Sequence, residues 1–177
     1  MLFLRSHSAF RAACEHATAG QIADAFPALR ACLEYAAYAL HIVKHPGLEE
    51  VWLRRHDNDT AKDRTRSEFV LAKLRDSIGC CNQKAAKIFQ DLYQRTIDFG
   101  GHPNERSVTG NLRIIEKEDR KEFQQAYLHG DGVALGHTLK TTAQVGLCAL
   151  EILREIYSPR FDLLGVSERM LKLRKGL

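Results

Sequence analysis

A line of polar side chains runs through the largely apolar stretch 24–45: Arg30, Glu34, His41 and His45, spaced four, seven and four residues apart, with Tyr38 in the same run. These intervals put all of them on one face of a helix. Two histidines one turn apart could share a metal ion, with Glu34 supplying an oxygen or orienting a histidine from behind. Glu34, His41 and His45 are thus weak candidates for metal ligands. No metal or other cofactor is expected, because a helical dimetal site needs Glu-x-x-His pairs on opposing helices and the chain has none. Arg30 lies one turn before Glu34, so a buried ion pair explains both more simply, its remaining bonds going to loop backbone.

A second group of chemically capable residues falls in GGHPNERS, residues 100–107, the most distinctive irregular stretch of the chain. Arg30, Glu34 and Tyr38 together with His102, Asn104 and Arg106 could line a pocket at one end of a bundle. Two arginines and a histidine suit an anionic small molecule such as a nucleotide. The same groups could equally form a buried network that pins the loop to the helix, and this is the simpler reading.

Helices must position these residues. Apolar spacing predicts a first helix over 2–19, ended by Gly20 and without a capping residue at its start. A central helix follows over 24–45, with Asp24 as its cap, Pro27 in its first turn and Pro46-Gly47 as its stop; apolar on nearly every side, it should be enclosed by the others. Val51 and Trp52 anchor a short helix over 48–56. Asp59 or Thr60 caps a fourth, whose apolar side is Phe69, Leu71, Leu74 and Ile78. A fifth over 82–99 carries Ile88, Phe89, Leu92, Thr96 and Phe99 along one face. The helical period is lost at 107–130, which reads as a β-hairpin. A second long helix runs from 131 or 132 to Tyr157, with His137, Lys140, Thr141 and Thr142 on its polar side. Residues 163–175 form a basic amphipathic tail.

Composition narrows the function classes. The 177 residues suit one domain, and 45% hydrophobic with 27% charged residues is ordinary for a globular chain. The 26 basic and 22 acidic residues are interspersed and net only +4, so a nucleic-acid surface is permitted but not indicated. Five cysteines without a CxxC pair suggest neither a disulfide framework nor a zinc ribbon, and a reducing cytosol fits best. Cys14, Cys32 and Cys148 read as small core residues. Arg5, His7 and Arg11 break up any signal-peptide core, and no run is long enough to span a membrane. There is no Walker loop, no G-x-G-x-x-G and no G-x-S-x-G.

The segments RACLEYAAYALHI (Arg30 to Ile42) and DFGGHPNERSVTGNL (Asp98 to Leu112) resemble those of bacterial proteins of unassigned function over most of the chain. More loosely, the long helices with Arg95 and His102 six residues apart resemble the HEPN superfamily, whose ribonucleases carry R-x4–6-H near the end of a core helix. That resemblance implies metal-independent RNA cleavage at a site completed across a dimer. His102 would then serve as general base or acid on the ribose hydroxyl and leaving oxygen, and Arg95 would stabilise the phosphorane. Two features depart from the pattern: Thr96 follows the arginine where catalytic members have Asn, Asp or His, and Gly100-Gly101 should end the helix before His102. Asp91 and Asp98, four residues before Arg95 and three after it, offer it ordinary ion pairs on a helix surface.

The expectation is a single all-α domain over 1–177, an HEPN-like helical bundle with a small β-hairpin at 107–130. It should be a cytoplasmic homodimer joined through its first helix and its tail. The expected function is noncatalytic binding of a nucleotide, RNA or protein partner; the alternative is the metal-independent ribonuclease that uses Arg95 and His102.

Overall fold

The computed structural model describes residues 1–101, 105, 109, 110 and 112–177. Helix α1 spans Leu2–Thr18 and α2 Ile22–Lys44, followed by α3 (Leu48–Leu53), α4 (Asp59–Glu68), α5 (Leu71–Cys81) and α6 (Gln83–Thr96). A wide π-helical turn, Ile97–Gly101, extends α6. Strands β1 (Leu112–Glu116) and β2 (Lys121–Gln125) precede the long α7 (Val133–Leu163) and the short α8 (Val166–Leu173). The chain is an all-α bundle with one small antiparallel hairpin.

Helix α2 is the axis of the bundle, packed against α1, α5, α6, α7 and the wide turn. Phe26, Leu29, Leu33, Leu40, Ala36 and Ala37 on it are fully buried, and they meet Phe89, Ile78, Val145 and Ile152 from the surrounding helices. Small residues set the close crossings. A Cβ on Gly146 of α7 would stand 2.5 Å from the ring of Phe10 on α1, so the ring holds this place only while position 146 has no side chain.

Several boundaries differ from those the pattern predicts. Gln21 precedes α2, and Asp24 lies inside its first turn rather than capping it. Between 58 and 81 there are two helices where one is expected. Asn58 caps the first through Ala61 N–H at 2.8 Å, and the chain breaks at Phe69 and Val70 before α5. No Gly or Pro marks that break. Asn82 caps α6 through Ala85 N–H at 3.0 Å. On α6, Phe89, Leu92 and Thr96 are buried as expected, but Ile88 and Phe99 are 41% and 37% exposed. Helix α7 bends at Tyr157, two residues before Pro159, whose ring cannot continue the helical hydrogen-bond ladder. The chain therefore continues to Leu163 in a new direction.

The hairpin lies within the stretch that loses helical period, with Ile114 opposite Phe123 and a turn closed by Lys117 N–H to Arg120 C=O at 2.8 Å. Its apolar residues face outward, Phe123 at 65% and Ile114 at 56% exposure. Just beyond it, His129 N–H donates to Gly20 C=O at 2.9 Å and ties the segment to the turn between α1 and α2.

One contact joins the wide turn to α2 at backbone level. Pro27 has no N–H for the carbonyl of Ala23 four residues earlier. Gly100 approaches that same carbonyl: at φ +138° it holds a conformation other residues avoid, and a Cβ there would lie 2.8 Å from Ala23 O. The Gly100→Ala variant should lose about 2 kcal/mol of stability, from backbone strain and this clash together. Urea unfolding at neutral pH measures it; an unchanged midpoint would mean the turn does not depend on this approach.

Candidate functional site

The polar face of α2 divides into two unconnected groups. Arg30 Nε donates to Glu34 Oε1 at 2.9 Å, and Tyr93 of α6 donates its hydroxyl to the same oxygen at 2.7 Å. The Arg30 guanidinium lies 5.2 Å from the centroid of the Tyr93 ring. Burial and the Glu34 carboxylate push the Tyr93 hydroxyl up to about 12, so it remains a donor at any physiological pH. The pair is not buried as expected, with 28% and 36% side-chain exposure. An i, i+4 pair this open to water contributes about 0.3–0.5 kcal/mol, so its effect is to orient Tyr93 more than to stabilise the fold. Tyr38 turns its ring to Phe69, centroids 4.8 Å apart, rather than into this network.

His41 and His45 serve the backbone. His41 is 2% exposed, with Nδ1 2.7 Å from Ser77 Oγ and Nε2 3.1 Å from the carbonyl of Glu68. A carbonyl can only accept, so Nε2 carries the proton and Nδ1 of the neutral ring accepts from Ser77. The carbonyl of Glu68 is one that the break between α4 and α5 leaves without a helical partner. His45 Nδ1 donates to the carbonyl of His41 at 2.9 Å. With both nitrogens of His41 engaged and Glu34 held by Arg30 and Tyr93, the three metal candidates do not converge. Among the described residues no group of three metal-ligating side chains does.

Arg95 points elsewhere than the helix-surface pairs its spacing offers. Its Nη1 crosses to α7 and donates to Gln144 Oε1 at 2.7 Å and Thr141 Oγ1 at 3.3 Å. Asp98 instead accepts from Gln94 at 2.9 Å. Of the side of α7 that reads as polar, Thr141 and Thr142 are buried, as is Thr138, while His137 is half-buried and Lys140 exposed, so its threonines turn into the bundle and its lysine does not. Small β-branched hydroxyl residues can be buried there because each returns its hydrogen bond to its own helix, as Thr138 and Thr142 do to the carbonyls four residues earlier, or accepts one, as Thr141 does from Arg95. His137, one turn before Thr141, lies 4.8 Å from Phe99, ring centroid to centroid. Burial, and then the charge of Arg95, lower its pKa and favour the neutral ring.

No known protein family, curated protein or solved structure matches the chain. The chemistry of the site thus rests on its own geometry.

Arg95 forms part of the wall of a cleft of about 400 Å³ between α6 and α7, closed at one end by Arg174 and Leu177. Lys84, Ile88 and Asp91 continue the α6 wall, and Leu147, Cys148 and Glu151 the opposite one. Glu151 is 6% exposed and neutralised: Arg154 and Arg174 reach it at 2.7 and 2.6 Å, and the Asn82 side-chain amide at 3.4 Å. The sequence offers Glu151–Arg154 as a helical pair, but nothing in it announces Arg174, which only the bend at Tyr157 brings back. Burial pushes the thiols of Cys32 and Cys148 up to about 11 and about 12, so both remain protonated and unreactive. His102, Asn104 and Arg106 lie outside the described residues, as does any role they have here.

The pH response follows from His41. Burial, and then the nearby His45, hold its pKa below the ordinary histidine value. Between that lowered value and about 6.5 the unfolded chain binds a proton the folded one refuses, so stability rises with pH. The contribution is complete above about pH 6.5 and is lost on acidification through this interval. Urea midpoints measured from pH 7.5 to 5 should fall, and fall less in His41→Gln; parallel slopes would remove His41 as the cause.

Proposed function

We propose that this chain is a noncatalytic helical bundle that binds an anionic partner, a nucleotide or RNA, at the α6–α7 cleft, with Arg95 meeting the phosphate. The carrying observation is the state of Arg95: its guanidinium is fixed by two neutral oxygens, and no carboxylate among the described residues pairs with it. A positioned cation whose charge is not cancelled, in a cleft of a few hundred Å³ with an apolar floor, is a site for an anion with an organic body. Lys84 and Asp91 on the same wall offset each other, which leaves Arg95 as the cation this wall presents. The Arg30–Glu34–Tyr93 network supports this site from behind by fixing the face of α6 opposite the cleft.

A ribonuclease is the second reading, favoured by His137. The charge of Arg95 is felt at His137; a neutral histidine could take the proton of a ribose 2′-hydroxyl and return it to the leaving 5′-oxygen, with the cation stabilising the phosphorane and a cyclic phosphate left behind. His102, the base that the sequence offers for this reading, lies outside the described residues. The five free cysteines are in keeping with a reducing cytoplasm. Among the described residues no helix is long and apolar enough to cross a membrane. Outward leucines on α1 and at the end of the chain, Leu4 at 63%, Leu163 at 86% and Leu164 at 69% exposure, support self-association as a homodimer.

A labelled oligoribonucleotide and a nucleoside monophosphate, titrated in the presence of a chelator, test the binding reading. Binding should weaken about tenfold or more in Arg95→Ala, the loss of one charge-assisted contact. No binding by the wild-type chain, or binding indifferent to Arg95, would reject the site. The same samples, incubated and examined for cyclic phosphate ends beside His102→Ala and His137→Ala, decide whether cleavage accompanies binding.

A further inference from the structure

A second cleft, of about 420 Å³, lies on the other side of Leu147, between α1, α7 and the C-terminal segment. Phe3 and Phe10 of α1, Leu147 and Leu150 of α7, and Leu173 and Leu177 form its walls. Gly146 lies in its floor, where the absent side chain lets Phe10 reach α7. Ser6 is also in the lining, but its hydroxyl is committed to the carbonyl of Cys32 at 2.9 Å, so the interior offers an occupant almost no polar partner. This separates it from the Arg95 cleft, which is edged by Lys84, Asp91, Glu151 and Arg174.

The rim carries one cation, Arg11, and an imidazole beside it. His7 and Arg11, one turn apart on α1, both line the cleft. The carboxylate paired with Arg11 is Glu15, at 3.8 Å, the limit of salt-bridge reach, and both side chains are about 70% exposed (68% and 73%). Most guanidinium donors of Arg11 are therefore open to a stronger acceptor. The volume is too small for a helix, which is about 10–12 Å across, and corresponds to roughly fourteen heavy atoms at about 30 Å³ each. An apolar interior of this size with the Arg11 guanidinium and the His7 imidazole at its mouth matches a linear amphiphile with a negative head.

We propose that this cleft binds an aliphatic carboxylate of about dodecanoate size, its chain against Phe10, Leu147 and Leu150 and its carboxylate at Arg11 and His7. The site is separate from the anion site at Arg95 and does not rest on it. Leu173 and Leu177, 61% and 41% exposed, gain cover when the chain is in place.

Calorimetric titration of the whole chain with octanoate, decanoate and dodecanoate, each below its micelle concentration, tests this. Dodecyltrimethylammonium is the control of equal chain length and opposite charge. One molecule should bind per chain, with affinity rising about three- to fourfold per methylene. Arg11→Gln should weaken binding about tenfold and Ala143→Trp, which fills the cleft, should abolish it. Leu173→Glu, on the exposed wall, gives the same test without touching the core should Ala143→Trp fail to fold. The absence of saturable binding, equal binding of the cation, or undiminished binding by a folded Ala143→Trp or Leu173→Glu would each overturn the proposal.

Discussion

A helix surrounded by others can carry polar side chains only where each polar atom finds a partner, since a buried group left unpaired costs about 1–3 kcal/mol. Helix α2 is under that constraint along most of its length, and the bundle is arranged to meet it. His41 is the clearest case. Its ring takes the hydroxyl of Ser77 from α5 and gives its proton to Glu68 at the end of α4, so one side chain holds the two helices at their junction. At the other end of α2, the carbonyl that Pro27 leaves without an N–H is the one the wide turn packs against. The shape of the outer layer is in this sense set by what the inner helix needs.

Those needs explain which parts of the fold could be read from the chain. Apolar spacing reveals α1, α2, α6 and most of α7, because enclosure and amphipathicity are written in the residues themselves. The loss of period at 107–130 similarly reveals the hairpin. The break between α4 and α5 is illegible, since it depends on a histidine 27 residues earlier accepting its role as hydrogen-bond donor to Glu68. So is the return of Arg174 to Glu151, which needs the bend at Tyr157 and spans a sequence separation of 23. Local propensity cannot show a hydrogen bond made across the fold.

The site was legible in its residue types and not in its grouping. Arg30 and Glu34 do pair, as their spacing says, and Tyr93 of α6, which nothing in the spacing announces, joins them. Arg95 has two carboxylates at helical spacing and bonds to neither Asp91 nor a surface partner; it crosses to Gln144 and Thr141 instead. Threonines that read as a wet face are buried, because a hydroxyl that bonds within its own helix counts as nearly apolar to its neighbours. His137 reads as one more polar residue of that face, and only its contact with Phe99 and the influence of the Arg95 charge give it chemical interest.

The hairpin has a different relation to the bundle. Its strands pair chiefly with each other, their apolar residues face outward, and salt bridges such as Lys117–Glu122 and Lys121–Glu116 bind it within itself. A two-stranded unit of this kind adds little to the stability of the whole and borrows little from it. Substitutions in β1 and β2 are therefore nearly invisible to folding, and selection acting on them can see only what the hairpin touches. In evolutionary terms such a segment is free to change its surface, and with it what it meets, while the core stays as it is.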